Sequence, residues 1–290
     1  MKKIGYYPGC ALLSSAKDYN SSIHGVFERL GVVLQEVEDW TCCGASSAHA
    51  TNDLLALALP ARTLALTEQA GLGELLAPCS ACFSRLLLAS ERMKGDEDLS
   101  RRVNGVIHPL HYRGTVEVKN ILDVLVNEIG IPEISGHVVR RLDGMRVVAY
   151  YGCWLTRTVR IPSFDDREDP YSMDRILTAL GAEPLPWSAK MDCCGGSLGL
   201  SEEGLTQGLC RNILRAARDV GAEAMVTTCP LCQANVDIFA FKHKDENISV
   251  PVLYLTDLLG VALGCRLRGS HWRKKFIDPT GVLKRHALLS

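Results

Sequence analysis

Short apolar runs alternate along this chain with longer stretches whose apolar residues recur at helical spacing. Residues 3–7 and 146–151 read as buried strands, short and β-branched or aromatic. Residues 21–30 and 171–180 have helical spacing and stop at Gly31 and Gly181, the residue type favoured just past a helix end. Ala/Leu-rich helices at 52–70 and 202–220 close at Gly71 and Gly221. Strands at 73–77 and 223–228 then lead into helices at 80–92 and 230–242. Each half thus reads strand, helix, strand, helix, strand, helix. That order predicts an α/β fold: two tandem, pseudo-twofold-related domains, each a small parallel sheet with covering helices.

The cysteines turn the likeness of the halves into a duplication. Ten of the twelve form two copies of one pattern: a single Cys, an adjacent pair followed by Gly, then Cys-x-x-Cys. The first copy is Cys10, Cys42-Cys43-Gly44 and Cys79-x-x-Cys82; the second is Cys153, Cys193-Cys194-Gly195 and Cys229-x-x-Cys232. The copies lie 143 residues apart at the first Cys and 150 or 151 apart afterwards. Repetition at half the chain length means a duplicated domain. Flanking residues agree: the run into Gly9-Cys10 matches that into Gly152-Cys153, and residues 75–79 match 225–229. Further on, His108 to Tyr112 with Ile121 to Leu125 echoes Val250 to Tyr254 with Thr256 to Leu259. The expected division is a first domain at 1–140, a second at 145–264 and a basic tail at 265–290. The boundary falls near 131–145, which carries the Pro, Gly and charge of a linker. The extra residues of the second copy are placed in a surface loop from Pro162 to Pro170. The cysteines would then sit at strand C-terminal ends, where α/β folds build their sites.

Composition narrows what so many thiols are for. The N-terminus, MKKIGYYPGC, has no apolar core or cleavage site of an export signal, and no window of 18 uncharged apolar residues exists. The expectation is a soluble cytoplasmic protein without a membrane span, whose thiols stay reduced unless they bind metal or do redox work. A net charge of -1 argues against a nucleic-acid partner.

Five thiols per half must then be explained. Structural zinc is saturated by four, and ordinary iron–sulfur cubanes also take four, so either leaves one unused in both copies. Adjacent cysteines project their sulfurs apart and suit two neighbouring irons better than one ion. The set points to an unusually open or enlarged iron–sulfur cluster, with zinc in one half as the alternative. Cys-x-x-Cys at a helix start adds a positive helix end, which favours thiolate and an anionic cluster.

The doubled motif, with Cys229-Pro230-Leu231-Cys232 in the second copy, resembles the cysteine-rich CCG domains of the heterodisulfide reductase B-type subunit over residues 1–262. The resemblance implies two noncubane [4Fe-4S] clusters, each of two fused iron–sulfur units sharing an iron and a sulfide. Cys10, Cys42, Cys43, Cys79 and Cys82 would hold one. Cys153, Cys193, Cys194, Cys229 and Cys232 would hold the other. It further implies an oxidoreductase acting on sulfur groups, reducing or forming a disulfide between the clusters. Electrons would come from an iron–sulfur protein like the C-type subunit of heterodisulfide reductase, fed in turn by a flavin-containing protein like its A-type subunit. Methanogen members commonly carry His at the position of Trp154, so the indole points away from the methanogen coenzyme disulfide and towards bacterial relatives. A protein that relays electrons or meets a sulfur carrier, without disulfide turnover, is the competing reading.

The remaining residues carry less. Cys210 reads as a buried small hydrophobe and Cys265 as incidental. Gly9, Gly44, Gly152 and Gly195 read as turn glycines that also let the backbone approach a cluster. The run Gly195 to Gly199 lacks the full nucleotide-loop fingerprint. His24, His49, His108 and His111 read as surface or satisfied histidines. Trp154, with Trp40 and Trp187, would line a dry pocket. The segment 266–290, with seven Lys or Arg against Asp278, reads equally as a solvated tail or a partner-docking arm.

Overall fold

A computed structural model describes residues 2–45, 48–157, 164–267 and 269–289. In the first half β1 (Lys2–Tyr6) runs into α1 (Gly9–Leu12) and α2 (Lys17–Arg29), followed by β2 (Val32–Glu36), α3 (Ala48–Thr51) and α4 (Asp53–Gln69). Then come β3 (Glu74–Leu76), α5 (Ser80–Gly95), α6 (Glu97–Ile107), β4 (Glu117–Lys119) and α7 (Ile121–Asp123), which continues as a π turn to Ile129. A crossing helix α8 (Ile131–Gly136) leads to the second half: β5 (Arg146–Tyr150), α9 (Ser172–Ala179), β6 (Glu183–Pro184), α10 (Glu203–Asp219), β7 (Ala224–Thr227), α11 (Pro230–Lys242), β8 (Val252–Tyr254) and α12 (Leu255–Ala262). The short α13 (Gly269–Trp272) and α14 (Thr280–Arg285) finish the chain.

Each half is a four-stranded parallel sheet, ordered β2-β1-β3-β4 and β6-β5-β7-β8. The central strands are the apolar runs: Ile4, Leu75 and Leu76 are buried in one sheet, and Val147, Val148, Ala224, Met225 and Val226 in the other. Helices cover both faces, which is why these strands are continuously apolar rather than alternating.

Three features differ from the expectation. Each sheet has a fourth strand, β4 or β8, and the counterpart of β8 is residues 117–119 rather than 108–112. Leu76 pairs with Lys119 as Val226 pairs with Leu253, so register fixes the match. Residues 108–112 form an irregular turn containing the cis His108–Pro109 peptide bond. The segment 131–145 is no free linker: Ile134 and Leu142 are buried, and the Val139 and Arg140 N–H groups donate to Ala262 O. Of the expected loop from Pro162 to Pro170, residues 162 and 163 lie outside the described residues, and 164–170 is irregular, as expected of a loop.

The basic tail is the largest correction. Trp272, Lys275, Leu283 and Leu288 are buried, so the segment is neither solvated nor a free arm. Lys275 Nζ lies 2.8 Å from Asp18 on α2 and 3.2 Å from Asp257 on α12, and 3.9 Å above the Tyr254 ring. Asp257 also meets His271 Nε2 at 2.7 Å, and Asp237 accepts the N–H groups of Phe276 and Ile277. One of the tail's seven cations, Lys275, is spent inside the molecule, tying the halves together. Beneath it α2 packs on α12: Tyr19 stacks on Tyr254 at 4.0 Å and donates to Thr228 O, and Ser22 and Thr256 share a 2.6 Å hydrogen bond.

Candidate redox site

Parallel strands put all their C-terminal ends on one edge. The chain leaving β1 carries Gly9 and Cys10, the loop after β2 carries Cys42 and Cys43, and Cys79 caps α5 just after β3. β5, β6 and β7 deliver Gly152-Cys153, Cys193-Cys194 and Cys229 in the same way. Three adjacent strands therefore bring one motif together in each half.

The result is two chambers. Cys10, Cys42, Cys43, Cys79 and Cys82 all line a cavity of about 190 Å³. Cys153, Cys193, Cys194, Cys229 and Cys232 all line a narrower one of about 20 Å³. Trp154, Ala81, Leu231 and Gly196 border both, so the chambers share a wall. A mostly apolar groove of about 500 Å³ along α10 and α11 meets the first chamber at Gly196, Ser197 and Leu231.

Within each chamber the second Cys of the pair faces the second Cys of the Cys-x-x-Cys: Cys43 and Cys82 sulfurs are 3.2 Å apart, Cys194 and Cys232 3.6 Å. Cys79 and Cys229 share a hydrogen bond across the halves, which joins the two thiol sets. Hydrogen bonding with Cys42, then with Cys82, holds the Cys43 thiol far below its ordinary value. The Cys153 hydrogen bond, helped by the Gly195 N–H, lowers Cys193 to about 6. Cys232, then Cys79, lower Cys229. The thiols Cys42, Cys79, Cys82, Cys153 and Cys232 are pushed up in return. The first chamber thus contains one sulfur biased towards thiolate, Cys43, and the second contains two, Cys193 and Cys229, in the form that binds metal. Among the described residues no three Cys, His, Asp or Glu side chains gather closely enough for a single metal ion; the sulfurs spread around cavities instead.

The glycines act at two kinds of place. Gly9 and Gly152 have φ of +64° and +67°, and a Cβ on them would stand 3.1 Å from Cys82 Sγ and 2.9 Å from Cys232 Sγ. Gly44 and Gly195 aim N–H groups at Cys42 Sγ (3.5 Å) and Cys193 Sγ (3.3 Å). Trp154 borders both chambers under the Arg85 guanidinium, 5.0 Å away. Trp40 and Trp187 stand back from the thiols, edge-on to Tyr7 and Tyr150. Cys210 is buried outside both chambers, its thiol raised to about 12 by burial, and Cys265 donates to Gly25 O. None of His24, His49, His108 and His111 lines a chamber.

Sequence reasoning missed four residues. Tyr7 OH donates to Thr41 O and Tyr150 OH to Asp192 O, each at 2.8 Å, so one buried tyrosine holds the residue before each Cys pair. Both stand three residues before the first Cys of their copy, a signal that aligning the copies on cysteine exposes. Arg85 and Asn235 occupy the same position three residues after Cys82 and Cys232. Asn235 donates to Cys194 O and Gly196 O, whereas the Arg85 charge bears on Cys43.

This doubled cysteine architecture has a family. The CCG cysteine-rich domain matches residues 4–86 and 147–237, and the chain belongs to that family. It is 33% identical over 284 residues, 96% of this chain and 98% of the relative, to the 8-methylmenaquinol:fumarate reductase membrane anchor subunit of Wolinella succinogenes. It is 26% identical over 272 residues, 91% and 90% of the two chains, to the B-type subunit of a ferredoxin/F(420)H(2)-dependent CoB-CoM heterodisulfide reductase of Methanosarcina acetivorans. A protein of Archaeoglobus profundus described as like the heterodisulfide reductase B-type subunit is 26% identical over 91% of both chains. The expected resemblance to that type of subunit therefore holds over most of the chain. The crystal structure of a hypothetical protein from Helicobacter pylori shares the fold at TM-score 0.72 and 15% identity, over 93% of this chain and 50% of that one. Among the described residues no helix is long and apolar enough to cross a membrane.

Proposed function

We propose that the chain is an iron–sulfur redox subunit of a heterodisulfide-reductase-like complex, with one noncubane [4Fe-4S] cluster held by the five cysteines of each chamber. The observation that carries this reading is the sorting of ten cysteines into two five-thiol chambers by half. The donor set fits such a group: all sulfur, several biased towards thiolate, with backbone N–H groups aimed at Cys42 and Cys193 and glycines leaving room beside Cys82 and Cys232.

When bound, the clusters supply one-electron steps that together break or form an S–S bond. The chain's own part is positional. The apolar groove leads a disulfide or related thiol-derived substrate to the first chamber, and Trp154 and Leu231 form the wall it would reach. The Cys79–Cys229 contact joins the two thiol sets, so both sites can serve one substrate. Electrons would come from a C-type iron–sulfur partner of the heterodisulfide reductase kind and, through it, a flavin-containing A-type protein.

A second reading, electron relay without disulfide turnover, is favoured by the 33% identity to a subunit of a fumarate reductase. Metal analysis and turnover separate the possibilities. Two filled sites give about eight irons per chain, whereas one zinc-filled half gives about four irons and one zinc. With a viologen donor and the assembled complex, disulfide reduction supports the catalytic reading. Cluster reduction without substrate loss supports relay.

A further inference from the structure

Ser80 is the first residue of α5, directly after Cys79. It is 2% exposed, and its hydroxyl has no hydrogen-bond partner among the described residues. Although α5 belongs to the first half, Ser80 lines the second chamber, among Cys153, Cys193, Cys194, Cys229 and Cys232. Its counterpart Pro230, directly after Cys229, lines the first chamber. Each half therefore starts its Cys-x-x-Cys helix against the other half's thiols, in keeping with the contact between Cys79 and Cys229.

A buried hydroxyl left without a partner costs about 1–3 kcal/mol. Serine carries a donor hydrogen, and five cysteines line this chamber with it. Proline at the equivalent place carries no donor at all. The arrangement is thus unequal: the second chamber receives a hydroxyl from across the domain boundary and the first receives a ring.

We propose that Ser80 Oγ donates a hydrogen bond to a sulfur of the cluster in the second chamber, making Ser80 a positioning residue that raises that cluster's potential. This rests on the cluster assignment above. A hydrogen bond to sulfur favours the reduced, more negative state, so losing it lowers the potential. The first cluster meets Pro230 at the equivalent place, a residue with no donor of its own.

The test compares Ser80→Ala, Pro230→Ser and the unsubstituted protein by iron content and by redox titration followed with electron paramagnetic resonance. Cys193→Ala, which keeps the first cluster alone, assigns the signals. Ser80→Ala is expected to retain its iron, shift only the second cluster to lower potential, and lose an exchangeable-deuteron coupling to that cluster after transfer to D2O. Pro230→Ser is expected to shift only the first cluster, to higher potential. If both variants leave both potentials and the deuteron coupling unchanged, the proposal is overturned. If Ser80→Ala fails to fill its second site, Pro230→Ser decides alone, and an unmoved first cluster then overturns it. A protein without iron in unsubstituted form would instead overturn the cluster assignment, a separable failure.

Discussion

The first thiol chamber measures about 190 Å³ and two of its cysteines, Cys10 and Cys42, are exposed; the second measures about 20 Å³ and has no exposed cysteine. Strand order, cysteine pattern, positive-φ glycines and tyrosine anchors are the same in both. What differs is the wall. Following Cys10 the chain has Ala11, and following Cys153 it has Trp154; between the Cys-x-x-Cys residues it has Ala81 in one copy and Leu231 in the other. The second copy supplies the bulk that borders both chambers. Duplication thus kept the parts that place sulfur and let the parts that govern access diverge, which suits one open and one sheltered redox site.

The halves also differ in how they end, and the largest expected effect tests that difference. Asp123 and Asp257 occupy equivalent places after β4 and β8, as the strand register shows. Asp123 accepts from Asn127, whereas Asp257 is fully buried against Lys275 and His271. Lys275→Met would leave Asp18 and Asp257 buried without their cation, a loss of about 3–5 kcal/mol in unfolding free energy. Burial pushes Asp257 up, but the Lys275 charge and then the His271 hydrogen bond bring it down to about 2. A depressed carboxyl contributes stability above its unfolded value, and that contribution fades as pH falls through the folded one. The deficit of Lys275→Met, followed by denaturant unfolding, should therefore be full at neutral pH and shrink towards pH 2, as the carboxyl left without its cation takes up a proton. A deficit under about 1 kcal/mol at neutral pH, far below the cost of breaking a buried pair, would mean that the strap does not lock α2 to α12.

Much of this comparison is legible in the sequence. Thiols at a fixed offset, helices ending in glycine and apolar central strands are local patterns, and the observed α4 and α10 lie within a residue of 52–70 and 202–220 at each end. The short edge strands β4, β6 and β8 are not readable as strands, because two or three residues carry no period and depend on a neighbour for their hydrogen bonds. The tail misleads for a related reason. Lys275 looks like a solvated charge until Asp18, 257 residues earlier, is placed beside it. Ser80 is silent in the sequence because its environment belongs to the other half.

A middle-sized effect comes from the glycines before the first Cys of each copy. A left-handed backbone costs a residue with a Cβ about 1–2 kcal/mol. Gly9→Ala and Gly152→Ala should both incur that cost and also press on a sulfur, Cys82 in one case and Cys232 in the other. Gly152→Ala should be the worse, since its Cβ would stand 2.9 Å from the sulfur in the tighter chamber, against 3.1 Å for Gly9. Iron per chain and the assigned resonance signals give the readout. Each variant should lose metal from its own half alone, and loss from both halves together would break the picture of separate chambers.

The smallest effect concerns the tyrosine anchors. Tyr7→Phe and Tyr150→Phe each delete one hydrogen bond, to Thr41 O or Asp192 O, and keep the ring that packs on Trp40 or Trp187. The stability cost should be about 1 kcal/mol in either half. Its consequence for metal should differ, because the first Cys pair already opens to solvent at Cys42 while Cys193 is half-buried. In the second half Trp187 Nε1 also donates to Ala149 O, 3.0 Å away, which helps hold that loop when the phenol is gone; Trp40 instead donates to the Glu36 side chain, and the first loop keeps the bonds of Thr41 to Thr63 and Leu59 and of Arg62 to Asp39. Tyr7→Phe should therefore speed iron loss to a chelator from the first site more than Tyr150→Phe speeds it from the second. Equal acceleration at both sites would show that the loops are held by the sulfurs alone.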